Sequence, residues 1–108
     1  MVEIAGYHAR LDALAVGLNF EALVFVTMRG ADSETIASFE NAVSHIPHVI
    51  QAQRLFGEPD YLLRVIAADL PAFQNLYDTE LSTLPGMQKL TSTLVMKTIV
   101  NNRNLPLA

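Results

Sequence analysis

The chain has 108 residues, of which 51% are hydrophobic and 17% charged, with a net charge of −4 and no cysteine. That length makes one domain able to bury a core, and the missing cysteine excludes a disulfide framework, a thiolate nucleophile and a cysteine-based zinc site. The acidic balance, with 7 Lys and Arg spread along the chain, excludes a phosphate-gripping nucleic-acid surface built from this segment.

No apolar run approaches the ~18 residues of a membrane span. Residues 1–6 show no basic stretch followed by an apolar block, so no signal peptide is expected and a cytoplasmic protein is the default. A mean hydropathy of +0.28 is high for a small domain, and points to apolar surface buried against another chain.

Residues 19–29 are rich in β-branched and aromatic side chains and read as a first strand. The break at 30–33 offers Asp32 or Ser33 as acceptors for the free amides of a following helix. That helix carries Ile36, Phe39, Val43 and Ile46 at spacings of three and four, one apolar stripe, and Pro47 stops it. Residues 48–57 and 60–68 read as two strands of a hairpin joined by the short Glu58-Pro59 turn. Asp69 then caps a second helix, with Pro71 tolerated in its first turn and Phe73, Leu76, Tyr77, Leu81 and Leu84 as its stripe. The step Leu84-Pro85-Gly86 ends it. Residues 87–100 read as a long fourth strand, and 101–108 as a loose tail.

The order β-α-β-β-α-β predicts an α+β, ferredoxin-like fold: a four-stranded antiparallel sheet with both helices on one face. The other face of such a sheet is expected to read polar. Here Phe20, Ala22, Val24, Val26 and Met28 line one face of the first strand, while Leu23 and Phe25 line the other. The third strand repeats the pattern, with Tyr61, Leu63 and Val65 opposite Leu62 and Ile66. Both faces are apolar, which predicts a second sheet packed on the first in a symmetric homodimer.

The chemistry-bearing residues gather near the hairpin. Gly57 and Asp60 flank a turn able to present backbone groups and one carboxylate to a small ligand, with Asp60 a candidate partner for an α-amino group. A solvated turn is the plainer reading, since Gly, Pro and Asp are common there anyway. Thr91, Ser92 and Thr93 put hydroxyls on both faces of the last strand, as candidates for a ligand carboxylate, although threonine is also frequent in strands for packing reasons. Arg54 and Arg64 lie on adjacent strands, facing either an effector carboxylate or an acid within the sheet. His45 and His48 have a spacing found in metal sites, but Pro47 separates them and no third ligand is identifiable, so no metal is expected. Ser33 and Ser38 have no histidine and acid partners, which leaves nucleophilic catalysis without support.

The order of elements, the turn Gly57-Glu58-Pro59-Asp60-Tyr61-Leu62-Leu63, the step Leu84-Pro85-Gly86-Met87 and the strand Thr91-Ser92-Thr93 together resemble the C-terminal effector-binding domain of the Lrp/AsnC, or feast/famine, transcription regulators. Residues 4–12 resemble that family's exit from its winged helix-turn-helix and the hinge that follows, with His8 on the hinge surface. The division implied is 1–18 as wing remnant and hinge, 19–102 as effector-binding and oligomerisation domain, and 103–108 as tail.

The resemblance implies a sheet-to-sheet homodimer that assembles further into octamers or filaments, and a small effector, usually an amino acid, at contacts between subunits. Carried over residue by residue, the ligand-facing turn falls on Gly57, Glu58, Asp60 and Tyr61. Pro59 departs from the family pattern, stiffening the turn and removing one amide donor. The resemblance also implies that DNA is contacted only by a helix-turn-helix ahead of residue 1, so that this chain is a fragment, or the product of a gene that lost its 5′ part, or a stand-alone partner of full-length relatives. Two other functions are compatible with the architecture. One is a small enzyme of the dimeric α/β-barrel type, which needs proton-handling groups between sheet and helices and finds only aliphatic and aromatic ones here. The other is an interaction module without a ligand. No enzyme activity and no cofactor are expected.

Overall fold

A computed structural model describes residues 17–101 and 103–106. The wing remnant and hinge anticipated in residues 1–18, His8 among them, lie almost entirely outside the described residues.

The elements follow in the order β1 (Phe20–Met28), α1 (Ser33–Ser44), β2 (Val49–Arg54), β3 (Tyr61–Ala67), α2 (Leu70–Thr79), a single 3-10 turn (Leu81–Thr83) and β4 (Met87–Leu94). The strands form one antiparallel sheet in the order β2-β3-β1-β4. This is the ferredoxin-like α+β fold. Each helix starts where an aspartate satisfies free amides. Asp32 Oδ2 accepts from Thr35 N at 3.0 Å, and Asp69 Oδ1 accepts from Ala72 N at 2.9 Å, the N-cap role expected of both.

The core lies between helices and sheet. Ala22, Val24 and Val26 of β1 and Leu63 and Val65 of β3 are fully buried, packed beneath Phe39 and Val43 of α1 and Phe73 and Leu76 of α2. Strand alternation sends their neighbours to the other face. There Leu23, Phe25 and Thr27 of β1, with Leu62 and Arg64 of β3, stay half-buried, and the Arg64 guanidinium bonds Glu21 at 2.7 Å. Arg64 therefore pairs within the sheet.

Three boundaries differ from the sequence expectation by three residues or more, the first being the second strand, which ends at Arg54 rather than at 57. The fourth strand ends at Leu94 rather than near 100. Val95 N still donates to Glu21 O at 3.0 Å, but β1 begins at Phe20, so no neighbouring strand remains to hold residues 96–100 in a ladder. The second helix ends at Thr79, because Glu80 takes φ −123°. Leu81 and Leu84 nevertheless reach the core, delivered by the 3-10 turn instead of by the helix.

Candidate functional site

The connection between β2 and β3 is longer than a two-residue turn. Residues 55–60 form an open loop, closed at its base by Leu55 N donating to Asp60 O at 2.8 Å. Asp60 fixes it to the sheet from two directions. Its own N donates to Val26 O at 2.9 Å, and its carboxylate accepts from Met28 N at 2.7 Å. Gly57 has φ +129° with open space where a Cβ would stand. Backbone conformation, not close approach of a neighbour, is what favours glycine there. Phe56 projects fully into solvent.

The loop folds over one corner of the half-covered sheet face. The register explains the corner. Phe25 pairs with Thr91 and Thr27 with Lys89, and directly opposite residues in a ladder share a face. With Glu58 and Pro59 above them, these residues line a shallow basin of about 470 Å³. The basin has an apolar floor of Phe25 and Pro59, two threonine hydroxyls, one carboxylate and one ammonium. Neither Glu58 nor Lys89 is engaged by another side chain among the described residues.

Of the residues singled out from sequence, Glu58 and Thr91 meet in this basin. Thr93 shares its face but lies two positions along β4, opposite Leu23. Ser92 points the other way, to a groove against α2 beside Phe73, Gln74 and Tyr77. Gly57 shapes the loop, and Asp60 anchors it through the backbone of β1. Tyr61 turns into the interior, 3% exposed, with its ring against Phe39 and its hydroxyl donating to Glu40 Oε2. Burial first, and then that hydrogen bond, push the Tyr61 hydroxyl up to about 12. Sequence reading missed Lys89. The signal for it is strand alternation: Lys89 lies two residues before Thr91 and opposite Thr27 in the regular part of the ladder, before the register shift at Thr27/Met28, so it shares the face of Thr91.

His45 and His48 do not meet. His45 Nδ1 lies 2.8 Å from Asn41 O at the end of α1, and among the described residues no cluster of three potential metal ligands exists. Nor is any described helix long and apolar enough to cross a membrane.

Comparison with known proteins places this geometry in context. Residues 21–105 match the family model of the Lrp/AsnC ligand-binding domain. The chain is 32% identical to the DNA-binding transcriptional activator DecR of Escherichia coli over 104 residues, 96% of this chain and 68% of the relative. Among solved structures, a transcriptional regulator from Neisseria meningitidis in complex with L-methionine superposes with a TM-score of 0.78 at 31% identity, covering 87% of this chain and 60% of that one. A feast or famine regulatory protein from M. tuberculosis, also in complex with L-methionine, superposes with a TM-score of 0.69 at 25% identity over 84% of this chain and 59% of that one.

Proposed function

The chain belongs to the Lrp/AsnC ligand-binding domain family of transcription regulators, and we propose that residues 19–102 bind a small amino-acid effector at a contact between subunits and thereby bias assembly. The family and the relatives are transcription regulators, not enzymes. The observation that carries the proposal is that Glu58 and Lys89, neither engaged by another side chain among the described residues, line one basin with Phe25, Pro59 and Thr91. An amino acid has one cation, one anion and a side chain. The basin offers a partner for each: Glu58 for the ammonium, Lys89 and Thr91 for the carboxylate, and the floor for the side chain.

The basin is open above, so one protomer covers only part of a ligand. A second copy laid on the half-covered sheet face supplies the missing wall. Binding there couples ligand to assembly, because a ligand that touches two chains favours the state in which they are together. DNA contact in this reading falls to residues outside the unit, in keeping with a net charge of −4.

L-Methionine, bound by the Neisseria relative, is the first probe. In titration calorimetry, Lys89→Ala and Glu58→Gln are each expected to weaken it about tenfold, the scale of one lost charge-assisted contact. Equilibrium sedimentation with and without methionine is expected to show a shift in mass for the parent chain. If both substitutions leave methionine affinity unchanged, the basin is not the effector site.

A further inference from the structure

A second cavity lies on the opposite side of the sheet, inside a single protomer. Strand β2 is an edge, and Ala52 and Arg54 pair with Leu63 and Tyr61, so their side chains take the helix-facing side. Helix α1 reaches over this edge with Phe39, Glu40, Val43 and Ser44, which lie at the spacing of one helix face. The cover is incomplete because Ala52 has almost no side chain to fill the gap. What remains is a cleft of about 300 Å³, at the lower end of the ~300–1,000 Å³ typical of small-molecule sites.

Its floor is apolar and rigid: Phe39 and Leu63 are 1% and 0% exposed. Its rim carries opposite charges on either side of one hydroxyl. Tyr61 donates to Glu40 Oε2 and also feels the positive charge of Arg54. Arg54 has no salt-bridge partner among the described residues, and the hydrogen bond from Tyr61 occupies only one of the two Glu40 oxygens. A guanidinium without a salt-bridge partner among the described residues, a carboxylate with capacity to spare and an apolar floor between them form a recognisable set.

We propose that the cleft between α1 and β2 is a second, self-contained site for a small zwitterion with an apolar side chain. Arg54 takes the carboxylate in its planar fork, Glu40 takes the ammonium, and the side chain lies on Phe39, Val43 and Leu63 where Ala52 leaves room. This site stands independently of the basin on the other sheet face. All its groups come from one chain, so its occupancy does not depend on association.

The test follows amide resonances of the isotope-labelled chain as L-leucine is added. Two analogues accompany it: 4-methylpentanoate, which lacks the ammonium, and 3-methylbutylamine, which lacks the carboxylate. Saturable shifts at Ser44, Ala52 and Leu63 with leucine are expected, each analogue binding about tenfold more weakly. Glu40→Gln, which keeps the acceptor for Tyr61, and Arg54→Gln are each expected to weaken leucine about tenfold, and Ala52→Phe to abolish the shifts by filling the gap. Lys89→Ala is expected to leave them unchanged, which separates this site from the basin. Leucine shifts confined to the residues around Lys89 and Thr91 overturn the proposal, as does equal binding of either analogue or indifference to both charge substitutions.

Discussion

Asp60 and Tyr61 are adjacent and do unrelated work, and the difference comes from strand alternation. The Asp60 carboxylate reaches back to Met28 N, while the Tyr61 ring packs on Phe39 at 4.7 Å between centroids. The alternation was legible in the sequence. That Asp60 would be occupied by a backbone amide of another strand was not, because such a bond depends on where β1 passes beneath the loop. The Tyr61 hydroxyl has a consequence for stability. Held up to about 12 from an ordinary 10, it keeps its proton in the folded chain where the unfolded chain loses it. The folded state therefore binds more protons between these values. The stabilisation is whole below pH ~10 and declines as pH rises toward ~12. Tyr61→Phe removes this contribution, so the fall in urea midpoint between about pH 9 and pH 11.5 is expected to be smaller in the variant than in the parent chain. An equal fall in both would show that Tyr61 contributes nothing to the alkaline limb.

Elements were legible where periodicity has one meaning. The stripe Ile36, Phe39, Val43 fits a helix and nothing else, and α1 buries those same residues. Residues 95–100 show how the same reasoning overreaches. Their apolar residues suit a strand, but a strand also needs a partner, and β1 has already ended. Connections carry information of another kind. Gly86, between the 3-10 turn and β4, has φ +75°, and its carbonyl accepts from Arg29 N at 2.8 Å. A Cβ at this position would collide with Thr35 Cγ2 of α1 and stand 3.1 Å from Met28 Cε of β1. The bare backbone thus lets α1, β1 and β4 converge. Gly86→Ala is expected to destabilise the fold by about 2 kcal/mol, combining an unfavourable φ with the displaced threonine. A lower urea midpoint with an unchanged slope is the expected reading; an unchanged midpoint would mean that the three elements have slack there.

At the scale of the whole molecule, the two faces of the sheet have different fates. One is covered by α1 and α2, save for the cleft at the β2 edge. The other presents half-buried Leu23, Phe25 and Leu62 around the Glu21–Arg64 pair, and beyond β4 the apolar surface continues through Met96 and Ile99, 96% and 85% exposed. Apolar alternation on both faces was readable from the strands alone, whereas the basin was not, because alternation puts Lys89 on the face of Thr91 but does not tell that the loop carries Glu58 and Pro59 over them. A face of this composition is expected to be covered by its own copy, since a two-fold contact brings the same patch together twice. Phe25→Asp places a charge at the centre of that patch and leaves the helix-facing core untouched. It is expected to shift the sedimentation mass from dimer to monomer while the far-ultraviolet circular dichroism keeps its shape, and Asn75→Asp at an exposed position of α2 is expected to leave the mass unchanged. Because Phe25 is also the basin floor, the monomeric variant is further expected to lose methionine binding. An unchanged mass for Phe25→Asp would move the contact between copies to another surface, and would separate assembly from the basin.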